Sequence, residues 1–186
     1  MFGSFSLRRA VTAAIAVAAL GSACAAPPPV GKFADLDQRV ERIDDLTYGA
    51  AIDEFGDLET LDLTMFRPTA GDEPRPAIVF IHSGAFTGGY RSEQDSMAQE
   101  FAERGYVTVT ITYRLHEGAW IWFNSPSDVA LGAARGARHD AQAAVRFLRA
   151  NAGEYGIDPG RIGAVGYSAG AITAIGVGQH PEDPGD

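Results

Sequence analysis

The chain has 186 residues, 46% of them apolar, and carries 24 acidic against 15 basic side chains for a formal charge of −9. That apolar share suffices for one buried core, so one domain is expected, while the acidic surface repels phosphate backbones and argues against nucleic-acid binding. With Cys24 as the single cysteine, no intramolecular disulfide is available.

Arg8-Arg9 precedes an apolar run from Ala10 to Leu20, interrupted only by Thr12, and small residues follow. This is the layout of a secretory signal peptide, assigned to residues 1–25, and the run is shorter than the roughly 20 residues a bilayer span requires. Two processing readings stay open. Ala23-Cys24-Ala25 fits the small-x-small rule, whereas Leu20 to Cys24 resembles a bacterial lipobox with its leucine one place too far upstream. In the second case a lipid on Cys24 tethers the protein to a membrane; in either case it is exported, whether secreted, periplasmic or lipoprotein-anchored. Pro27-Pro28-Pro29 and the charged stretch to Asp45 read as a linker over residues 26–45, because consecutive prolines are stiff and extended. Residues 46–186 are assigned to the fold.

Leu46 to Ala51 and Glu59 to Phe66 read as an antiparallel pair around the turn formers of Asp53 to Asp57. Leu61, Leu63 and Met65 alternate with Asp62 and Thr64, the two-residue period of a half-buried edge strand. The apolar run Ala77 to Ile81 is a further strand and leads into His82-Ser83-Gly84-Ala85-Phe86. Ser92 and Asp95 are spaced like a capping box for a short helix with Met97, Phe101 and Ala102 on one face and Gly105 as its stop. Val107, Val109, Ile111 and Tyr113 alternate with three threonines, a dense β-branched strand. The connection from His116 to Pro126 holds Trp120, Trp122 and Phe123, a packed lid or mouth-lining loop by preference over a partner-binding device.

Ala141, Ala144, Val145 and Leu148 recur at helical spacing with Gln142, Arg146 and Arg149 opposite. His139 and Asp140 fall near the expected start of that helix, where Asp140 suits a cap and a dipole partner. A catalytic His-Asp pair is disfavoured there because successive helical side chains diverge. The turn Asp158-Pro159-Gly160 introduces the strand Ile162 to Tyr167, and an apolar helix starts at Ala169. Alternating strands and helices imply a mostly parallel sheet with helices on both faces, an α/β fold.

Between the last strand and that helix lies Gly166-Tyr167-Ser168-Ala169-Gly170. A sharp strand-to-helix turn strains the serine backbone and crowds its neighbours, so glycines two residues to either side fit a nucleophile elbow that exposes the hydroxyl. Ser168 is the candidate nucleophile, with Gly166 and Gly170 as the elbow glycines.

Residues 46 to 180 resemble the α/β-hydrolase superfamily, in particular carboxylesterases and hormone-sensitive-lipase-like serine esterases. The likeness rests on His82 to Phe86, similar to that family's His-Gly-Gly-Gly/Ala-aromatic loop, on Thr112-Tyr113-Arg114-Leu115 and on Asp140 to Gly170. Ser83 departs from the usual glycine. The resemblance implies acyl transfer, with the N–H groups of Gly84, Ala85 and Ala169 as the oxyanion hole, His82 as loop support, a small ester as substrate, and neither cofactor nor metal.

A serine needs a histidine base and an acid to orient it, and in this family both follow the serine in the chain. After Gly170 come only His180, Glu182, Asp183 and Asp186, with no strand to return them to the sheet. His180 lies at the far end of the following helix, about 18 Å from Ser168 by helical rise. The triad acid and histidine are therefore expected outside this chain. The expectation is an incomplete α/β-hydrolase fold, truncated just after the elbow, whose last strand is an exposed edge awaiting a completing C-terminal segment. Its function reads as a secreted serine carboxylic-ester hydrolase, inactive as this piece; the alternatives are a prolyl-oligopeptidase-like peptidase and a non-catalytic exported or lipid-anchored binding module.

Overall fold

A computed structural model describes residues 38–116 and 127–180. Five strands form one sheet: β1 (Val40–Ile52), β2 (Leu58–Pro68), β3 (Arg75–Ile81), β4 (Val107–Ile111) and β5 (Ile157–Gly166), in the order β1-β2-β4-β3-β5. β2 is antiparallel to β1 and to β4, while β3 is parallel to β4 and to β5. Only β2 therefore runs against the others, and the C-terminal ends of β1, β3, β4 and β5 share one edge of the sheet.

The helices are α1 (Asp95–Glu103), α2 (Ser127–Ala150), the single turn α3 (Ala152–Tyr155) and α4 (Ala169–Gln179). Strand alternation sends Leu61, Leu63, Met65, Val79, Ile81, Val109 and Ile111 into a core shared with Ala137, Ala141, Ala144 and Leu148 of α2 and Ala169 of α4. Alanines along α2 let the helix axis approach the sheet closely. The opposite face places Phe66 and Phe80 against Ala98 and Ala102 of α1. Each such fully buried large side chain stabilises the fold by about 1.5–3 kcal/mol. The threonines of β4 face α1 and are buried as well, with Thr108 donating to the Ala98 carbonyl at 2.8 Å and Thr110 to the Asp95 carboxylate at 3.0 Å. Their hydroxyls are satisfied, so the polar half of the alternation costs little.

Several expectations are revised. β1 begins at Val40, ahead of the expected Leu46, because its charged start pairs with Arg67 and Pro68 of β2 and is interrupted by an irregularity at which Asp45 adopts φ 56°. That break destroys the alternation and makes the segment look like a solvated tether. β2 is an interior strand rather than an edge; Thr64 is buried and accepts from Arg91 while donating to Asp44. Capping ahead of α1 occurs two residues earlier than expected, where the Glu93 carboxylate accepts from Tyr90 N–H, and Asp95 instead binds Thr110 and Arg42. Met97 is exposed; Ala98 takes the core position. Gly105 ends the helix with φ 96°, as expected.

The turn Asp158 to Gly160 exists as a bulge inside β5: Asp158 accepts from Gly160 N–H, and the pairing with β3 jumps from Ile157 to Ile162. β5 is the terminal strand, and Val165, Tyr167, Ile172 and Ile175 near that edge are exposed. The leader with Cys24, the proline triplet, Trp120, Trp122 and Phe123, and Glu182, Asp183 and Asp186 lie outside the described residues. Among the described residues no helix is long and apolar enough to cross a membrane.

Candidate active site

β5 delivers Ser168 to the start of α4 in a conformation that an ordinary residue avoids, φ 54° and ψ −116°. The glycines explain how the turn closes. A Cβ on Gly166 would sit 2.4 Å from the carbonyl carbon of Gly170, and one on Gly170 would sit 2.2 Å from the carbonyl oxygen of Ile81. These neighbours are backbone atoms that have no rotamer by which to retreat. Ser168 is exposed, its carbonyl accepts from Ala171 and Ile172 N–H, and Ala169 is buried beneath it.

Ile81 pairs with Gly166, so the loop that follows β3 emerges beside the elbow. Gly84, Ala85 and Phe86 have successive φ values of 111°, 53° and 64°. Positive φ at two non-glycine residues is strain, held here by packing and hydrogen bonds. The Gly84 carbonyl accepts from Thr87 N–H at 2.9 Å and Gly88 N–H at 3.1 Å, and a Cβ on Gly84 would overlap the Gly88 carbonyl oxygen at 1.8 Å. Phe86 is buried edge-on to Tyr113. Among the described residues the N–H groups of Gly84, Ala85 and Ala169 have no hydrogen-bond acceptor.

His82 is buried, stacks on Tyr113 with ring centroids 4.2 Å apart, and brings Nδ1 to 2.6 Å from the Ser83 carbonyl oxygen. A carbonyl only accepts, so Nδ1 carries the proton. Burial pushes the His82 pKa down, which keeps the imidazole neutral near pH 7.

Each of the other histidines has contacts of its own. His116 pairs with Glu54 at the β1–β2 turn, His139 Nε2 contacts Arg138, and His180 follows α4 with its carbonyl accepting from Gln142. Gln142 is accordingly buried rather than on the solvent side of α2. Asp140 is no cap either. α2 starts at Ser127, which puts Asp140 in mid-helix, 2% exposed, accepting from Arg114 N–H at 2.8 Å and from the Arg114 guanidinium at 2.9–3.1 Å. Arg114 also donates to the Ile52 carbonyl. This pair ties the end of β4 to α2 and β1. Periodicity carries no trace of it, since the partners are 26 residues apart.

Residues 61–183 match the family model described as BD-FAE. The chain is 32% identical over 117 residues to gut esterase 1 of Caenorhabditis briggsae, covering 62% of this chain and 20% of that protein. It is 30% identical over 126 residues to phenmedipham hydrolase of Pseudarthrobacter oxydans, covering 67% and 24%. Among solved structures, esterase 2 of Thermogutta terrifontis phosphorylated by paraoxon superposes with a TM-score of 0.56 and 25% identity, over 75% of this chain and 46% of that one. The chain thus spans between a fifth and a quarter of these curated relatives and under half of the solved esterase.

Proposed function

Because this chain belongs to the BD-FAE family of α/β-hydrolase esterases, we propose that it carries the nucleophile and oxyanion half of an exported serine carboxylic-ester hydrolase. The single observation that supports this most is the pairing of a strained, exposed Ser168 with a positive-φ loop at the adjacent strand end. Strain of this kind costs of order 1–3 kcal/mol per residue and persists where a geometry is used.

In this reading Ser168 Oγ attacks an ester carbonyl, its proton passing to a histidine base. The negative charge that develops on the carbonyl oxygen is met by the N–H groups of Gly84, Ala85 and Ala169, donors already in place before the reaction. Collapse of the intermediate releases the alcohol and leaves an acyl-serine, which water then cleaves. His82 is tied to the loop and is not the base. Val165, Tyr167, Ile172 and Ile175 lie exposed near the outer strand β5, a face suited to packing against the remainder of a whole esterase, and residues 1–186 by themselves are expected to hydrolyse esters negligibly. Export rests on the leader over residues 1–25, in which Arg8-Arg9 precedes the apolar run.

A fluorophosphonate probe applied to the full-length gene product labels Ser168, and labelling disappears in Ser168→Ala. A properly folded preparation in which the probe bypasses Ser168 would sink the proposal. Faster turnover of nitrophenyl acetate than of a dipeptide amide separates an esterase from a peptidase on the same elbow.

A further inference from the structure

Tyr113, the second residue past β4, is 1% exposed, its ring stacked on His82 and edge-on to Phe86. A phenylalanine would fill that space equally well. What phenylalanine lacks is the hydroxyl, which lies 3.1 Å from the His82 carbonyl oxygen and 3.2 Å from the Ser83 carbonyl oxygen. The Ser83 carbonyl thus shares the single phenol proton of Tyr113 with the His82 carbonyl in a bifurcated bond, and also accepts the Nδ1–H of His82.

The second carbonyl matters because of the peptide unit it belongs to. In a planar trans peptide the C=O and the following N–H point in opposite directions, and the chain has no cis peptide among its described bonds. Fixing the Ser83 carbonyl therefore fixes the Gly84 N–H, aimed away from Tyr113 and without an acceptor of its own. The next unit follows the same logic by other means: the Gly84 carbonyl is held by Thr87 and Gly88 N–H inside the loop, and this orients Ala85 N–H. A glycine at residue 84 leaves the first unit free to rotate unless its carbonyl is held, here by His82 Nδ1–H from within the loop and by the Tyr113 hydroxyl from outside it. Tyr113 is itself immobilised from below, since Arg114 is bound through both backbone and side chain to Asp140.

We propose that Tyr113 is a positioning residue for ester hydrolysis, its hydroxyl aiming the Gly84 N–H at the oxyanion by clamping the Ser83 carbonyl. This rests on the esterase reading above. The hydroxyl touches no reacting atom, and its burial, which raises its pKa, keeps it a neutral donor throughout the working pH range. A misaimed donor weakens binding of the tetrahedral species and leaves ground-state ester binding alone.

The test is Tyr113→Phe in the full-length gene product, with nitrophenyl acetate as substrate and a trifluoromethyl ketone as mimic of the tetrahedral adduct. Loss of a whole oxyanion donor costs about 10²–10³-fold in kcat, so a loosened one is expected to cost about tenfold. The ketone's inhibition constant should weaken by the same factor, with KM within about twofold of the parent. A purely structural role lowers the active fraction and leaves the inhibition constant of the remaining enzyme unchanged. Hydrogen exchange over residues 83–88 adds a readout independent of turnover and should accelerate in the variant while β1 and β2 keep parental rates. An active parent with an unchanged inhibition constant in Tyr113→Phe overturns the inference and spares the esterase reading. A parent that the fluorophosphonate does not label defeats the esterase reading and with it any catalytic positioning; exchange then decides whether the hydroxyl clamps the loop at all, and unchanged exchange removes that too.

Discussion

Gly166 and Gly170 meet across the Ser168 turn so closely that a Cβ on the first would lie 2.4 Å from the carbonyl carbon of the second. Gly170 presses in turn on the end of β3, where the Ile81 and His82 carbonyl oxygens would lie 2.2 Å and 2.8 Å from its own added Cβ. The Ser168 turn and the loop after β3 are thus placed relative to each other by backbone contact, with no side chain between them.

Gly170→Ala should consequently force β3 and α4 apart. Overpacking against atoms that do not repack costs about 1–3 kcal/mol, and the figure belongs at the upper end here because the neighbours are main chain. A denaturant midpoint unchanged from the parent would show that the turn relaxes. Gly178→Ala, where an added Cβ meets nothing within 4 Å, serves as the control and should be neutral or slightly stabilising.

Ser168→Gly is expected to act in the opposite direction. At φ 54° and ψ −116° a serine carries strain that glycine does not. The variant should gain about 1 kcal/mol of stability while losing all fluorophosphonate labelling, the sign expected when strain is kept for chemistry. Paired thermal melts of Ser168→Gly and Ser168→Ala separate relief of strain from mere loss of the hydroxyl.

Asp140→Ala should be among the most damaging single changes. It leaves the Arg114 guanidinium and N–H facing a buried void, a loss of about 3 kcal/mol for a broken buried pair. Glu41→Ala breaks the exposed contact with Arg67 and should cost less than about 1 kcal/mol. Urea titrations of the two variants test the ordering, and comparable losses would contradict the assigned burial.

Stability should also fall with acidification through His82. Burial lowers its folded-state pKa below the ordinary 6.5, so the unfolded chain binds more protons in the window below that value. The contribution is complete above about pH 6.5 and is lost as pH falls towards the lowered folded value. His82→Asn keeps a donor for the Ser83 carbonyl and does not titrate. Its unfolding free energy should change less than the parent's between about pH 7 and about pH 5.5, as read from denaturant midpoints.

β3, β4, the elbow and the helix after it were legible from the residues, because their signals are local. Apolar runs, Val-Thr alternation and paired glycines around a serine reflect what each short segment needs of its own backbone. The loop at His82 to Phe86 was found by likeness to a family, and its three positive φ angles came only with the fold. Other roles depend on which segment lies alongside. β2 reads as an edge strand because Asp62 and Thr64 alternate with apolar residues, yet β4 lies against it, and both Thr64 and the β4 threonines are absorbed by hydrogen bonds across layers. Asp140 looks like a cap until Arg114 arrives from 26 residues away. Tyr113 looks like one more apolar residue of a strand until its hydroxyl reaches the Ser83 carbonyl. Hydrophobic periodicity and turn chemistry are properties of neighbours in sequence, so the chain alone determined most of its elements and the strained serine turn between β5 and α4. The partners of a buried carboxylate or phenol are chosen by desolvation, which penalises any unpaired polar group and so waits on the packed tertiary structure to decide.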